Sequence, residues 1–480
     1  MTAATVDLGL LYDRRRGERF IEVPAGVRPL TDQGNAERLA QFAGQQLVYV
    51  AGQGWYAWCE ETSTWRYDPE DLAAVHRAVQ SIRSFGDHAE DEEQEKAAKR
   101  GESESALRSA VRLSAGIPGM SAAPVDLDAD PYLLNTPDRS VVVLTTGRLR
   151  PAEPADLLTK TAGVGYSPGA RSPLWEETVR RMFPDPEVRS FVQRAAGYSL
   201  TGDVNEEVMF MVYGVAAAGK NTFMETIMRA MGAYATTAAP SLLTRRRGSE
   251  QIPVDVADLQ GRRLVWANEA SDASLLDEEK VKRIVSTGEI KARFMRRDFF
   301  SFTATHKLWL STNHLPIIRD QDNGIWRRVL PVYFGHRLDS AGQIATEDGL
   351  VHDLKGTLQD AENLPGVMAW LVEGAAEWQR QGLNPPASVT NWRDEYRDEM
   401  DTLGQFLEEA CTLLEEDRSP ADGALTVAQV WDKYLAWSEN DPERERLRTH
   451  SALSRALKGR GLEQARSRSA RYWPRLANRS

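Results

Sequence analysis

Some segments of the chain are continuously apolar, and in others apolar residues recur every 3.6 residues. The alternation of these two patterns predicts strands alternating with helices. Residues 208–213 (VMFMVY) are continuously apolar, as in a strand buried on both faces. After a glycine-containing loop, apolar residues recur at helical spacing from Phe223 to Met231. Two later runs, LVWA at 264–267 and HKLWLSTN at 306–313, predict further buried strands. The centre of the chain therefore predicts an α/β domain.

The flanking patterns predict additional domains. Residues 35–45 have helical periodicity, and the following segment alternates around Gly52 and Gly54 as a β-hairpin does. Near the C-terminus, two amphipathic helices precede a basic strand pair, the order found in a winged helix. The expected divisions are a leader at 1–34, an α+β domain at 35–172, a helical collar at 173–205, the α/β core at 206–345, a helical segment at 346–400 and a winged-helix-like domain at 401–480.

Three tryptophans lie in the predicted N-terminal hairpin, at Trp55, Trp58 and Trp65. Indole rings could stack on nucleobases. Filling the core of a small domain is the more common use of such residues, and we expect that use here.

The charge of the chain limits the partners it can attract. With 480 residues, the protein is too long for one ordinary core. Its net charge of −11 excludes a general polyanion-binding field, so any nucleic-acid contact depends on local basic patches. The segment from His450 to Ser480 is one such patch. It would suit a nucleic-acid-binding winged helix, and a solvated basic tail is the alternative.

Cysteine usage and hydropathy indicate a cytoplasmic protein. Only Cys59 and Cys411 are present, far apart in sequence, which excludes a disulfide framework and a cysteine-rich zinc site. No apolar run approaches the length needed to span a membrane, and the N-terminus lacks a signal-peptide pattern.

The loop between the first core strand and its helix has the spacing of a phosphate-binding loop. Gly214 and Gly219 are separated by four residues and followed by Lys220. Backbone N–H groups of such a loop surround phosphate oxygens, and the lysine reaches the β- and γ-phosphates. The alternative is an ordinary turn before a lysine. The expected nucleotide-binding residues are Gly214, Val215, Ala216, Ala217, Ala218, Gly219, Lys220, Asn221 and Thr222.

The residue after the lysine departs from the usual motif. A serine or threonine normally stands there and ligates Mg²⁺ through its hydroxyl group. This chain has Asn221, with Thr222 one place later and about 100° further around the helix. Asn221 or Thr222 is expected to contribute to the magnesium site, together with Glu269 acting through water.

Polar residues follow the other core strands. Glu269, after Asn268, is predicted to polarise the attacking water from a strand beside the phosphate-loop strand. Asn313 is expected to orient that water or to sense the γ-phosphate. Arg327 and Arg328 could be ordinary ion-pair partners, and one could serve a neighbouring subunit as an arginine finger. A basic hairpin with Lys291, Arg293, Arg296 and Arg297 is the predicted DNA contact.

Together, these motifs resemble the helicases of superfamily three that form the C-terminal half of phage and plasmid primases and include the poxvirus type. GVAAAGKNTF is similar to the family's Walker A motif, although Ala218 and Asn221 replace the common Asn and Ser. LVWANEA resembles Walker B, KVKRIVSTGEIKARFMRR the pore-hairpin motif, KLWLSTNHLP motif C, and GIWRRVLPVYF the arginine-finger segment. The N-terminal part, from about Ala36, looks like the domain that precedes the helicase in this family.

The resemblance implies an AAA+-like P-loop ATPase core that assembles as a homo-hexameric ring. ATP and Mg²⁺ would be held between subunits, and the ring would move 3′ to 5′ along single-stranded or forked DNA. Only about 35 residues precede the resemblance, so we expect priming by a separate primase or polymerase. The expected setting is phage or mobile-element replication in the host bacterial cytoplasm, without a membrane.

Two other functions are compatible with the same loop. The departures at Ala218 and Asn221 would suit a nucleotide-dependent DNA-binding or assembly protein that hydrolyses slowly or not at all. A small-molecule kinase is the second alternative. The pore-type motif and the separate basic tail argue against a kinase.

Overall fold

The computed structural model divides the chain into two compact units, Met1–Pro316 with Arg327–Val389, and Ile317–Trp326 with Thr390–Ser480. It describes residues 12–13, 18–19, 21–23, 26, 28–239, 242–243, 254–268, 275–293, 299–312, 315–319, 323–338, 344–346, 349–351, 353–439, 449–468 and 470–479. Across these residues, no helix has the length and apolar character needed to cross a membrane.

The N-terminal part of the first unit is an α+β arrangement. Its elements are β1 Tyr12–Asp13, β2 Glu18–Arg19, α1 Asp32–Ala43, β3 Leu47–Val50, β4 Gly54–Cys59, β5 Thr64–Tyr67, α2 Leu72–Asp87, α3 Glu92–Gly101, α4 Glu104–Ser114 and β6 Ser121–Ala122. Strands β5, β4, β3 and β6 form one sheet in that order. Trp55 and Trp65 are 2% and 1% exposed, which confirms their predicted place in the core. Trp58 is half-buried, with its ring edge-to-face on Trp65.

A second small sheet and two helices lead into the core. They are β7 Leu133–Asn135, β8 Ser140–Val143, β9 Arg148–Pro151, α5 Pro173–Met182 and α6 Pro186–Leu200. The three strands pair in the order β7-β8-β9. Side chains cap both helices, since Ser172 Oγ accepts from the Trp175 N–H and Asp185 Oδ1 from the Glu187 N–H.

The core of the first unit is built around a five-stranded parallel sheet. From the phosphate loop to the hairpin, the elements are β10 Met209–Gly214, α7 Lys220–Met231, β11 Ala235–Ala238, α8 Val254–Ala257, β12 Leu264–Asn268, α9 Glu278–Ile284, β13 Glu289–Arg293 and β14 Phe299–Thr303. The chain continues with β15 Lys307–Ser311, α10 Asn323–Trp326, β16 Val329–Phe334, β17 Ile344–Thr346, β18 Gly349–Val351, α11 Leu354–Leu358 and α12 Leu364–Gln381. The short helix α10 belongs to the second unit. The strand order in the sheet is β11-β12-β15-β10-β16.

This order corrects one prediction. The strand ending at Asn268 was expected beside the phosphate-loop strand, but β15 lies between β12 and β10. Adjacent strands lie about 4.8 Å apart, so the ends of β12 and β10 are about 10 Å apart. The continuous apolar run that predicted β10 is explained by burial, since Met209, Phe210, Met211 and Val212 are fully buried.

Phe223 on α7 holds the phosphate-loop helix against the core. Its ring is stacked at 5.6 Å on Trp175 and meets Phe334 edge-to-face at 5.7 Å. On the same side, α6 and α12 pack so closely that a Cβ at Gly197 would lie 2.1 Å from the Ala375 nitrogen. The helix that follows the loop therefore packs against a close-packed, buried layer of aromatic side chains and helices.

Within its described residues, the second unit contains α10, four later helices and a four-stranded sheet. The chain enters it through α13 Ala387–Met400 and continues with α14 Thr402–Ala410, β19 Cys411–Leu413, β20 Ala424–Thr426, α15 Val427–Glu439, α16 His450–Gly459, β21 Ala465–Arg466 and β22 Arg471–Asn478. Strand β22 pairs antiparallel with β19, β20 and β21. The predicted amphipathic helices and basic strand pair are therefore present.

Candidate functional site

The predicted strand, loop and helix are present at the carboxyl end of β10. Gly214 ends the strand at φ +137°, and a Cβ there would lie 2.2 Å from the Phe334 carbonyl oxygen. Gly219 precedes the helix at φ +84°, and a Cβ there would lie 2.4 Å from Met182 Cε. Neither position accepts a side chain without displacing its neighbours. The two glycines of the motif are thus explained by close packing as well as by backbone conformation.

The loop between the glycines presents unused hydrogen-bond donors. Val215 N–H donates to the Phe334 carbonyl at 3.0 Å, which fixes the start of the loop. Within the described residues, the N–H groups of Ala216, Ala217, Ala218 and Gly219 have no acceptor. The first-turn N–H groups of α7 add donors and the positive end of the helix dipole. Such an arrangement fits the oxygens of a phosphate chain.

Lys220 places its ammonium group on the loop itself. Its Nζ donates to the carbonyl oxygens of Gly214 at 2.8 Å and Val215 at 3.2 Å. Partial burial lowers the pKa of this amine from its ordinary value. Both acceptors are neutral, so the side chain brings a cation to the loop without a carboxylate partner there.

The two candidate magnesium ligands from the chain lie at the start of α7. Asn221 is exposed and Thr222 is half-buried. Over the described ranges, no group of three or more His, Cys, Asp or Glu side chains could hold a metal. Mg²⁺ keeps several waters and takes oxygens from substrate phosphates. The residues therefore fit a magnesium ion that arrives with a nucleotide better than a dedicated metal cage.

The ends of β15 and β12 lie at the same edge as the loop. The Thr312 N–H donates to the Val212 carbonyl at 3.0 Å, so the chain after β15 begins beside β10. Asn268 is exposed at the end of β12, in register with Ser311 on β15. Trp266 Nε1 donates to Ser311 Oγ at 2.7 Å and ties the two strands together. The predicted catalytic residues that follow these strands, Glu269 and Asn313, lie outside the described residues.

The two candidate arginine fingers lie at the opposite edge of the sheet. Arg327 and Arg328 precede β16, and both donate to Glu207 Oε2, at 2.9 and 2.7 Å. A strand of six residues spans about 20 Å, so neither arginine can reach the phosphate loop of its own chain. The Arg328 side chain is 11% exposed and that of Arg327 is 62% exposed. Of the two, Arg327 is the one exposed to solvent.

The predicted basic hairpin is confirmed as an antiparallel pair of strands. Strands β13 and β14 pair from Glu289 with Thr303 to Arg293 with Phe299. Lys291 is exposed and lies opposite Ser301. Arg293 is the last residue of β13. The other two predicted DNA contacts, Arg296 and Arg297, lie outside the described residues.

One part of the site was missed by sequence reasoning. The segment after β16 runs along the phosphate loop, where Leu338 N–H donates to the Ala217 carbonyl at 3.3 Å. Leu338 also packs on Gly219. The intervening His336 and Arg337 are exposed, and Arg337 has no ion pair or hydrogen bond within the described residues. The carboxyl ends of parallel strands lie at one edge of a sheet. Because β16 is parallel to β10, the segment after β16 could have been predicted to lie beside the phosphate loop.

Two family models match separate parts of the chain. Residues 36–184 match the model described as "D5 N terminal like". Residues 212–328, which contain the phosphate loop, β12, β15 and the hairpin, match the model described as "Family of unknown function (DUF5906)".

The chain is also similar to curated proteins of three viruses. It is 23% identical over 272 residues to "Putative helicase L207/L206" of Acanthamoeba polyphaga mimivirus, covering 55% of this chain and 28% of that protein. It is 24% identical over 279 residues to "Putative helicase 022R" of Frog virus 3, covering 54% and 27%. It is 22% identical over 267 residues to "Putative primase C962R" of African swine fever virus, covering 53% and 27%. The chain thus spans little more than a quarter of the length of these relatives.

A solved structure shares the fold. The A form apo structure of the NrS-1 C-terminal region matches with a TM-score of 0.51 and 9% identity, over 90% of this chain and 96% of that one. At this identity the likeness shows the fold alone. The chain is therefore a mixed α/β protein with a parallel sheet, carries a D5 N-terminal-like segment, and is distantly related to viral proteins named as helicases or primases.

Proposed function

We propose that this protein is an ATP-dependent DNA helicase of the superfamily-three type, working in replication. The observation that carries the proposal is the loop from Gly214 to Lys220, with its two steric glycines, its unused N–H donors and its lysine. The distant relationship to viral proteins named helicases and primases supports a role in DNA replication. The finer expectations, an AAA+-like core, a hexameric ring and 3′-to-5′ movement, are parts of this proposal.

Each residue at the carboxyl edge has a proposed role in ATP hydrolysis. The N–H groups of the loop and Lys220 would hold the phosphates, and Asn221 or Thr222 would orient the magnesium shell. Glu269 would accept the proton of the attacking water, and Asn313 would align that water. Magnesium, when bound, neutralises charge that develops on the phosphates. The distance of about 10 Å between β12 and β10 leaves room for a water and a phosphate between the end of β12 and the loop.

The position of the arginines favours a site completed by a second copy of the chain. Since Arg327 lies at the amino edge of the sheet, its guanidinium can meet a triphosphate only on a neighbouring subunit. An arginine supplied in this way stabilises transition-state charge. Its present partner, Glu207, would hold it until the subunits meet.

DNA would be held by the hairpin of β13 and β14. Lys291, Arg293, Arg296 and Arg297 are the proposed phosphate contacts, so affinity should vary little with sequence and fall steeply with salt. We further propose that α14–α16 and β19–β22 form a winged-helix-like domain that uses its basic residues on DNA or on a partner protein. A separate primase or polymerase, and a cytoplasmic location, stay predictions.

The test of the proposed function is Lys220→Ala. The variant should fold normally, with a thermal unfolding midpoint close to that of the wild type, because Nζ bonds only to loop carbonyls. DNA-stimulated ATP hydrolysis should fall by at least about a hundredfold, the order of effect seen when a preorganised charge is removed from a transition state. Exposed Arg229, near the end of the same helix, gives a matched control in Arg229→Ala. Near-wild-type hydrolysis by Lys220→Ala would remove the ATPase assignment.

Exposed Asn221 in place of a hydroxyl residue favours one alternative function. Without that hydroxyl, the chain could bind nucleotide and DNA but hydrolyse slowly, as an assembly protein. The Asn221→Ser variant distinguishes the two. A slow hydrolyser should gain at least about tenfold in DNA-stimulated turnover, whereas a competent helicase should change little.

A further inference from the structure

A cavity of about 640 Å³ lies at the amino edge of the parallel sheet, away from the phosphate loop. One wall consists of the segments that precede β10, β12 and β15, namely 202–205, 260–261 and 304–305. The second wall is the face of β4 and β5 that carries Tyr56 and Tyr67. The third is the root of the β13–β14 hairpin, at Ser301–Thr303. This size is typical of a small-ligand site.

Aromatic and apolar groups face this cavity with much of their surface exposed. The Tyr67 residue is 43% exposed, although its neighbour Trp65 on the same face is 1% exposed. The Tyr56 ring lies edge-to-face with it, 5.6 Å between centroids, and the Tyr56 hydroxyl donates to Gln53. Val125, which also lines the cavity, is 64% exposed. Exposed apolar surface gathered around a concave site indicates a ligand.

The charged side chains of the lining are two carboxylates, Asp128 and Asp203, and two cations, Lys160 and Arg66, whose guanidinium donates to Thr62 Oγ1 at 3.3 Å. The Asp128 carboxylate accepts from the Thr159 N–H and hydroxyl and lies 3.9 Å from Lys160 Nζ. The Asp203 carboxylate accepts from the Tyr132 hydroxyl and from the Asn205 N–H, each at 2.8 Å. Hydroxyl and amide side chains supply most of the remaining polar lining. The cavity therefore suits a flat, uncharged ring with polar edges rather than a phosphate group.

The hairpin connects the cavity to the proposed DNA contact. Lys291 on β13 is directly opposite Ser301 on β14, and directly opposed residues project from the same face of an antiparallel pair. An exposed cation thus shares a face with a residue that lines the cavity. A strand that placed a phosphate on Lys291 would bring its bases toward the tyrosines.

We propose that this cavity binds an unpaired nucleobase of single-stranded DNA, stacked on Tyr67. The inference rests on the proposed DNA-binding function, and it adds a base-contacting site to the phosphate-contacting hairpin. Stacking on an aromatic ring is tolerant of base identity, so the site would hold the strand without reading its sequence.

The test compares two strands that have equal numbers of phosphates, oligothymidylate and an abasic oligonucleotide of the same length. Full-length protein is titrated with each strand in the presence of a slowly hydrolysed ATP analogue. The Tyr67→Ala change should weaken oligothymidylate binding roughly tenfold, since one stacked base is lost, and should leave abasic binding within twofold. Tyr67→Phe keeps the ring and should bind both strands as the wild type does.

Two further variants separate this site from the proposed function. Phe42→Ala removes an aromatic ring that is 47% exposed elsewhere in the same domain, and it should bind as the wild type does. Lys291→Ala should weaken the binding of both strands. It should also reduce the slope of log affinity against log salt concentration by about 0.7, the value for one phosphate on a single strand.

If Tyr67→Ala bound oligothymidylate within twofold of wild type, the base site would be wrong and the DNA-binding function would stand. A cavity that binds a protein segment would give this result. If Tyr67→Ala lost affinity equally on both strands, the base site would also be wrong. A wild type that binds neither strand would overturn both.

Discussion

The two edges of the parallel sheet use cations in opposite ways. At the carboxyl edge, Lys220 donates to loop carbonyls beside N–H groups that have no acceptor within the described chain. At the amino edge, Arg263 and Lys307 are each 2% exposed, and neighbouring backbone carbonyls accept from them. The N–H groups and the lysine at the carboxyl edge can still bond to a phosphate, whereas the two buried cations at the amino edge already bond to the chain.

The amino-edge cations serve the structure because they close the end of a helix. Arg263 donates to the carbonyl of Leu200, the last residue of α6, at 2.9 Å and to that of Leu133 at 2.7 Å. Lys307 Nζ donates to the carbonyls of Thr201, Asp203 and Thr305. Carbonyl groups at a helix C-terminus are unpaired and carry partial negative charge, so buried cations there replace water. Burial, and then the nearby Arg263 charge, hold the pKa of Lys307 well below its ordinary value.

Charge alone therefore does not identify a functional residue in this sheet. Lys220 is the first residue of α7, after the loop that follows β10, and Lys307 is the first residue of β15. What separates them is whether the surrounding donors and acceptors are already satisfied. This criterion also singles out Arg337, which lies beside the loop and has no partner within the described residues.

The largest effect on the amino edge should come from Arg263→Met. The change leaves two carbonyls without their donor and removes the cation over the Tyr234 ring. Each unsatisfied buried group costs about 1–3 kcal/mol, so the free energy of unfolding should fall by about 3 kcal/mol. Chemical denaturation measures this loss, and exposed Arg229→Met is the control. Nucleotide affinity of the folded variant should match that of the wild type, and a selective loss of affinity would contradict the division between the edges.

Gly214→Ala should distort the phosphate loop at the carboxyl edge of the sheet. The new Cβ would meet the Phe334 carbonyl oxygen at 2.2 Å, and φ +137° is strained for any L side chain. The strain should cost about 1–3 kcal/mol and distort the loop, so nucleotide binding should be lost. Gly52→Ala provides the control, because Gly52 also has positive φ but has open space around it. Unchanged nucleotide affinity in Gly214→Ala would show that the loop is not the binding element.

A smaller effect is expected for Arg337→Ala. If Arg337 donates to a phosphate held in the loop, its loss should weaken ATP and ADP binding roughly tenfold, or about 1.4 kcal/mol. Since Arg337 is exposed, the unfolding midpoint without nucleotide should not move. Fluorescent-nucleotide titration with Arg337→Lys as the partial rescue tests this role. Equal nucleotide affinities in the wild type, Arg337→Ala and Arg337→Lys would show that segment 335–338 only packs against the loop.

The smallest effect concerns pH and the amino edge. Burial lowers the pKa of His306, which precedes β15, to about 3. The unfolded histidine titrates near 6.5, so the unfolded chain binds the proton first and stability falls as pH drops below 6.5. Between pH 6.5 and 5.5 this residue should account for about 1 kcal/mol of lost unfolding free energy. The unfolding free energy of His306→Phe, measured by chemical denaturation at pH 6.5 and 5.5, should fall by about 1 kcal/mol less than that of the wild type. The same fall in both proteins would contradict a neutral, buried histidine.

The sequence predicted those features of the site that depend on local patterns. Buried strand, loop and helix follow one another within 24 residues, and Gly214, Gly219 and Lys220 are where the spacing indicated. The hairpin of Lys291 and Arg293 was likewise found from a contiguous segment. Local signals of this kind do not need knowledge of which strands pair.

Features that depend on distant pairing were wrong or missed. The strand ending at Asn268 was placed next to β10, because a one-dimensional pattern cannot show that β15 lies between them. The burial of Arg263 and Lys307 was not predicted, since arginine and lysine are normally exposed and their carbonyl partners come from α6 and other distant segments. Segment 335–338 was missed for the same reason, because it meets the loop only through the pairing of β16 with β10.

A cryo-EM structure of the full chain with a slowly hydrolysed ATP analogue and oligothymidylate tests the central claim most directly. We expect the phosphates within hydrogen-bonding distance of the N–H groups of Ala216–Gly219 and of Lys220, at a boundary between subunits. Arg327 of the adjacent copy should have left Glu207 to approach the γ-phosphate. An ATP analogue bound at the amino edge, or a closed ring in which Arg327 and Arg328 both stay on their own Glu207, would contradict the account.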